Sequence, residues 1–551
     1  MKRFFRLTLL VAVFVVMANA TQAQYRFGGA MMDHDGMMSN DMFTLSQVNF
    51  GFGTARSMAM AGAFTSLGGD VAAMGINPAG LGMYRSNDIS FSPMMGFQNA
   101  DNSAMSWGDN KQSRFSVSNL GVVLNLYEDS NSNLVSVNFG FGYNRIADFN
   151  YRYGFSSESG ASLAPCRSIA DAFSLMMGQS DLLPESPDSA LPYDYRDAYY
   201  WGGVLAYNGM LLDVGEDELG NKFYTTADRL GVNAGVGHTA NMQSRGSIGE
   251  YDFSFGLNYN NKLYLGFTWG IQSVNWRRQM YYGEDYLYPA GSVPVYSDDV
   301  PLADPAKWMD YNQAVNISGT GMNAKIGLIY RPVEALRLGM AVHTPTFYAL
   351  ERSYQAYMAT NFNSQGDTTP ELDDFGENTW DFWSPTRLMF GASYTFGRFA
   401  VISVDYERDW YNGMRVKNIP AGFDLTREQY RHEFRENYKG SNTLRIGAEI
   451  KPTSQLALRA GYGVADGALR KDKSLYYNAP QIYKTTCFSA GVGYAFGATT
   501  IDLAYQHLSN KQTEYMLFYA VDENGGFDTA SPVYRTDLKR NYFTLSIGYR
   551  F

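Results

Sequence analysis

Residues 541–551 read NYFTLSIGYRF. Phe543, Leu545, Ile547, Tyr549 and Phe551 fall on one face of an extended chain, and Thr544, Ser546, Gly548 and Arg550 on the other. Side chains of a strand alternate between faces, so this is a strand with one wholly apolar side. Its length is what a tilted membrane strand needs, roughly 9–11 residues. The run ends on an aromatic at the last residue of the chain.

The same alternation recurs upstream. Leu263, Leu265, Phe267, Trp269 and Ile271 oppose Tyr264, Gly266, Thr268 and Gly270. Leu388, Phe390, Ala392, Tyr394 and Phe396 oppose Arg387, Met389, Gly391, Ser393 and Thr395. Leu444, Ile446, Ala448 and Ile450 oppose Arg445, Gly447 and Glu449; Ile501, Leu503 and Tyr505 oppose Asp502, Ala504 and Gln506. The apolar sets are expected to face lipid and the small or polar sets the lumen of a barrel.

Fourteen such strands are predicted, near 88–97, 113–127, 134–149, 250–259, 263–278, 314–330, 336–347, 387–396, 399–411, 441–450, 456–464, 485–496, 501–508 and 540–551. Their connections alternate long and short, with 150–249 the longest. Short turns on one side and long loops on the other mark a bacterial outer-membrane barrel. An even strand number puts both ends on the short-turn side, the periplasm. The short connections carry turn residues: Asn260-Asn261, Arg331-Pro332 and Lys451-Pro452. Within 150–249, Arg167 to Met177 is expected to form a short helix.

Composition agrees. Aromatic residues make up 15% of the chain, with 41 Tyr and 35 Phe, there are 55 Gly, and charged residues are only 18%, below the usual ~25%. No stretch beyond the N-terminus approaches eighteen apolar residues, which excludes a helical membrane protein. A net charge of −10 carries no nucleic-acid footprint. Although 551 residues would ordinarily make several domains, the strand pattern runs on without a linker, so a single large barrel is expected.

Lys2, Arg3 and Arg6 precede an apolar run from Leu7 to Met17, followed by Ala18-Asn19-Ala20 and Thr21-Gln22-Ala23. Residues 1–23 thus read as a signal peptide. Residues 24–87 read as a tail and a compact, small-residue hatch ahead of the barrel at 88–551. Ala55–Ala73 suits one or two short helices, and Asn77-Pro78-Ala79-Gly80 is a turn.

The stretch GTARSMAMAGAFTSLGGDVAAMGINPAGLGMYRS, Gly53 to Ser86, resembles the N-terminal hatch of the FadL-type transporters, channels of Gram-negative outer membranes for long-chain fatty acids and aromatic hydrocarbons. Asp70 and the Asn77-Pro78-Ala79 turn stand where the family pattern has them. The segments LRLGMAVHTPTFY from Leu336, NTLRIGAEIKP from Asn442 and FSAGVGYAFG from Phe488 look similar too, and the terminal strand resembles an outer-membrane assembly signal. The resemblance implies a fourteen-stranded antiparallel transmembrane barrel in the outer membrane, plugged by the hatch. It implies transport of small hydrophobic compounds without energy coupling, with Asp70, Asn77, Pro78 and Ala79 as hatch and gating residues. Ligand would land in an outer apolar groove, move inside and leave sideways through a gap in the wall. Lipid, lipopolysaccharide and the barrel-assembly machinery would be its partners, with the chain acting as a monomer. Keeping a chain of fifteen methylenes in water costs about 12 kcal/mol at ~0.8 per methylene, so a water-filled pore offers it nothing.

Several residues admit two readings. Lys325, Arg337, Arg387, Asp405, Glu407, Arg445, Glu449, Arg459, Asp502 and Arg550 are expected to face inward. Arg337, Arg387, Arg445, Arg459 and Arg550 could bind an acidic headgroup, but near-balanced signs favour a mutually paired network. Met31, Met32, His34, Met37 and Met38 could bind a soft metal; a flexible tail whose apolar residues fill the hatch region is the plainer expectation. Cys166 and Cys487 do not by themselves imply a disulfide. His34, His238, His343, His432 and His507 belong to no nucleophilic motif, so neither an enzyme nor a cofactor is expected. The alternative to transport is a surface-exposed binding or adhesion protein on a barrel scaffold, motivated by 150–249.

Overall fold

The computed structural model describes residues 25–34, 36–47, 50, 52–157, 168–185, 189–192, 199–231, 234–288, 301–362, 378–420, 426–470, 482–522 and 524–551. The expected signal peptide, Cys166 and Arg167 lie outside the described residues.

Fourteen antiparallel strands close into a barrel. They are β1 (Asp88–Asn102), β2 (Lys111–Glu128), β3 (Leu134–Asp148), β4 (Gly235–Tyr259), β5 (Leu263–Leu287), β6 (Ala306–Val333), β7 (Leu336–His343), β8 (Arg387–Phe396), β9 (Ala400–Trp410), β10 (Gly440–Ile450), β11 (Leu456–Asp466), β12 (Ile482–Phe496), β13 (Thr499–Gln512) and β14 (Thr536–Arg550). β14 pairs with β1, Asp88 opposite Arg550, to close the ring. Asn260 and Asn261 take positive φ in the tight turn between β4 and β5, the conformation such hairpins require.

The lipid-facing and lumen-facing sets fall as the alternation requires. Phe543, Leu545, Ile547 and Tyr549 are exposed, whereas Thr544 and Ser546 are buried. Several strands run far beyond their expected ends: β4 begins at Gly235 rather than 250, β5 ends at Leu287 rather than 278, and β6 begins at Ala306 rather than 314. β7 stops at His343, short of 347. The chain then resumes as Phe347–Phe362, pairing alongside β6, in a region expected to be loop.

A phase change along each strand explains the difference. On β5, Leu265, Phe267 and Trp269 face outward and are exposed. Beyond Ile271 the outward positions become Ser273, Asn275, Arg277 and Gln279, and the apolar ones turn inward: Val274, Trp276, Met280 and Tyr282, all buried. The hydrophobic surroundings switch from lipid outside to protein inside. Gln272 to Leu287 therefore stands above the lipid band, with roughly 50 Å of strand at ~3.3 Å per residue.

This projecting wall encloses the largest hydrophobic cluster. Into it pack α4 (Ile169–Met177) and α5 (Trp201–Asn208), bringing Phe173, Met177, Trp201 and Leu205. Ser168 caps α4 in a reciprocal capping box with Asp171, so the expected helix is present. α1 (Ser39–Ser46), from the tail, joins the same core.

Candidate functional site: the plugged lumen and the breach in its wall

The described N-terminal residues pack inside the barrel, with α4 and α5 beside them in the outer core. Arg26–Gly28 pairs with Tyr519–Val521, part of the long connection before β14. Met31, Met32 and Met37 are buried in the outer core. The expected flexible tail is thus a packed strap, because its apolar residues find the inward-turned face of the projecting strands. Asp33 anchors it, 2.9 Å from Arg352 and also paired with Arg278; Arg278 binds Asp41 at 3.1 Å. Among the described residues, no group of three His, Cys, Asp or Glu side chains could hold a metal.

Below the strap lies the hatch: α2 (Ala55–Ala59), α3 (Ala73–Ile76) and a 3-10 turn, Pro78–Met83. Asp70 closes it on itself. Both its oxygens accept from Thr54 Oγ1 at 2.9 Å, and one also accepts from the Ala72 amide. Burial raises its carboxyl above the usual range, opposed by the Arg56 charge and these hydrogen bonds. Asn77 faces the wall instead. Its amide donates to the carbonyls of Thr65 at 2.6 Å and of Leu328 and Met340 at 3.3 Å, while its oxygen accepts from Ala79 N. Pro78 opens the 3-10 turn and Ala79 is fully buried.

Bonds from the hatch reach the wall on all sides. Gly53 N donates to Ser118, Ala55 N to Ser546, Ala61 N to Ser489 and Thr65 N to Asp405, at 2.6–3.0 Å. Thr268 and Asn138 donate to the Met74 and Leu81 carbonyls at 3.0 and 2.8 Å. Glycines let the wall come this close. A Cβ on Gly266 would overlap Pro78 and Ala79, on Gly256 it would overlap Leu81, and on Gly447 and Gly461 it would overlap Met60.

The inward charges pair, as their balance suggested. Arg387 meets Glu407 and Asp409, Arg445 meets Glu407 at 2.6 Å, and Arg459 meets Glu449 at 2.6 Å and Asp502 at 2.5 Å. Lys325 joins Glu250 and Asp252, and Arg550 joins Asp88 at 3.1 Å on the short-turn rim. Arg56 of the hatch completes the group through Glu449 at 3.2 Å. Of these groups, Arg56, Asp88, Glu449, Arg459, Asp502 and Arg550 line a polar cavity of about 370 Å³ between the hatch and the wall from β10 round to β1. Arg337 stands apart: its guanidinium touches Met83 Sδ at 3.7 Å, and its buried Nε has no hydrogen-bond partner among the described residues.

The wall itself is breached at one place the sequence did not reveal. β2 and β3 pair only from Asn119 opposite Asn144 to Glu128 opposite Ser136. Beyond that, Lys111–Val117 pairs with β1 but has no ladder partner on the β3 side. Two irregularities flank the parting. Ser118 is bulged out against Ser92 and Pro93, where proline has no N–H to give, and Ile146 is an extra residue between Arg145 and Ala147 against β4. Side chains span the breach: Arg145 Nε donates to Val117 O at 3.3 Å, and Arg114 to Asn150 Oδ1. Pro93 in a strand interior was the one available signal.

Inside the breach lies a cavity of about 90 Å³. Phe50 and Phe52 line it from the hatch side, Ile146, Phe149 and Tyr151 from the breach side, and Leu508, Leu538 and Tyr542 from the neighbouring strands β13 and β14.

No protein-family model matches the chain, and no curated protein matches it. Solved structures do. One is the TodX monoaromatic hydrocarbon channel in a deltaS2 mutant form: 16% identity, 90% of this chain and 98% of that one covered, TM-score 0.51. Another is a FadL homologue from Pseudomonas aeruginosa: 13% identity, 91% and 100% covered, TM-score 0.51. The chain therefore has the plugged-barrel fold of the FadL-type channels, a fold that fits an outer membrane.

Proposed function

We propose that this protein passes small hydrophobic compounds across the outer membrane of a Gram-negative bacterium, after cleavage of its signal peptide and without energy coupling, and that ligand leaves sideways between β2 and β3. The breach in the wall carries the reading. A hatch bonded to most of the strands around it is costly to displace, since each net hydrogen bond contributes ~0.5–1.5 kcal/mol. From Lys111 to Val117 the breach is spanned by side chains, and backbone pairing of Met105 and Ser106 with Ser156 and Phe155 bounds it above. It adjoins an aromatic-lined cavity and faces lipid, where an apolar compound loses nothing on release. Asp70, Asn77, Pro78 and Ala79 then keep the hatch shut rather than open it.

Deleting Ile146 tests this. Without the extra residue β3 runs regularly against β4 and can extend its ladder with β2. Uptake of a radiolabelled hydrophobic probe by cells carrying the variant is expected to fall to background with the barrel still folded. Unchanged uptake would remove the sideways route.

A further inference from the structure

Above the lipid band the outer face of the barrel turns polar, and two of its charges stand where a sheet gains nothing from them. Arg245 on β4 and Arg277 on β5 are directly opposite each other, and both are exposed. Facing side chains of paired strands have Cβ atoms roughly 4.5–5.5 Å apart, where like charges are destabilising. Among the described residues neither arginine has an ion pair or a hydrogen bond. The same row continues through Asn316 to Ser353 and holds no carboxylate. Arg152 adds a third positive charge on this side. It stands opposite Gln243, two residues from Arg245, and its Nε has no hydrogen-bond partner. Such a cluster is suited to an anion from outside the chain.

Its height says which anion it meets. Outward positions on β5 are apolar up to Ile271, level with Tyr251 on β4. Arg277 lies roughly 20 Å further along the strand at ~3.3 Å per residue, about 15 Å above that level at a tilt near 40°. Higher still, one row crosses four strands: Asn241, Tyr281, Asn312 and Tyr357. Trp107 stacks on Tyr281 with ring centres 5.6 Å apart, and Trp107 and Tyr357 are exposed. Tyr281 and Tyr357 are two strands apart, roughly 10 Å at ~4.8 Å per strand, with an amide between them. Aromatic faces set beside side-chain amides suit sugar rings, whose C–H faces stack and whose hydroxyls both donate and accept. This face runs without a break into the lipid-facing wall below. Its occupant is therefore a molecule with its tail in the lipid, an anion next and neutral sugars beyond.

We infer that this face binds the headgroup of an outer-leaflet glycolipid, with Arg245 and Arg277 gripping a phosphate or carboxylate on its inner sugars and Trp107, Tyr281 and Tyr357 carrying the sugars further out. Guanidinium forks bind such groups bidentately, and the bound anion relieves the repulsion within the pair. The site lies on the outside of the barrel, so it stands whether or not any compound passes through the lumen.

The test titrates the full chain in detergent with two probes, diphosphorylated lipid A bearing two acidic sugars and the same glycolipid extended by neutral sugars, and reads binding by native mass spectrometry. The double variant Arg245→Gln, Arg277→Gln should weaken both at least tenfold, the value of one charge-assisted hydrogen bond. Arg427→Gln, at an exposed arginine elsewhere, should bind as the unaltered protein does. Tyr357→Ala should weaken the extended glycolipid alone. All these side chains are exposed, so each variant should keep the heat-resistant folded band on electrophoresis. Undiminished binding by the double variant would overturn the inference, as would a Tyr357→Ala effect that is the same for both probes. Displacement of the glycolipid by dextran sulfate at equal charge concentration would overturn it too, by showing a site for any polyanion and not for a lipid-anchored one.

Discussion

The guanidinium of Arg352 and the carboxylate of Asp33 lie 2.9 Å apart across 319 positions of sequence. Both are buried in the outer lumen, where Arg352 is fully enclosed. They join the strap to a wall strand, so the strap's position depends on a charge pair with no water to replace it. Breaking a buried pair by removing one partner costs roughly 3–5 kcal/mol. Arg352→Met is expected to free residues 30–47 while the barrel persists. Hydrogen exchange should show protection lost there and kept in β10–β14.

The strap should also respond to acid. Burial alone would raise the Asp33 carboxyl, but Arg352 and Arg278 outweigh it and hold it below the usual range. Its stabilisation is present above the unfolded value near ~3.9 and is lost as pH falls through the lower folded one. Burial pushes the neighbouring His34 down to about 4. The unfolded tail therefore takes a proton below ~6.5 that the docked tail refuses until about 4. Protection of residues 30–47 should be flat from pH 8 to 7, decline from about 6.5 toward 4 and collapse below that. Exchange rates corrected for intrinsic chemistry would show this, and His34→Gln should remove the first phase alone.

Gly266→Val should fail to form the plugged barrel. Its Cβ would meet the backbone at Pro78 and Ala79, which cannot turn aside as a side-chain tip can. Overpacking of this kind costs ~1–3 kcal/mol or more. The expected outcome is loss of the heat-resistant folded band on electrophoresis, with Gly266→Ala intermediate.

Asn77→Ala removes donors to three carbonyls and an acceptor for the Ala79 amide at once. About 1–3 kcal/mol of hatch anchoring should be lost, without loss of the barrel. Planar-bilayer recordings should then show brief openings that the unaltered protein lacks; a silent variant would argue that the other wall bonds suffice.

The membrane half of this fold was open to sequence reading because lipid imposes a strict rule. Every outward position from Leu265 to Ile271 must be apolar, and the short turns must bring the chain straight back. Above Ile271 that rule lapses. Trp276, Met280 and Tyr282 keep period two but in the opposite phase, so a search for one continuous apolar face stops near the membrane surface and assigns loop. The pairing of Arg387, Arg445 and Arg459 could be anticipated from balanced charge. The burial of Met31 and Met37 could not, because it depends on a pocket formed by strands hundreds of residues away. Nor could the breach between β2 and β3, which is a property of pairing and not of either strand alone.

The glycines that face the hatch carry one more consequence. Gly256, Gly266 and Gly327 stand side by side on three successive strands, and each leaves just the space that Leu81, Ala79 or Asn77 fills. Such a fit is reached at only one circumference. A ring with one strand more or fewer would move these hollows off the hatch and leave its donors dry. The hatch therefore works as a mandrel: it gauges the barrel from within, and the chain makes that gauge before it makes the first strand.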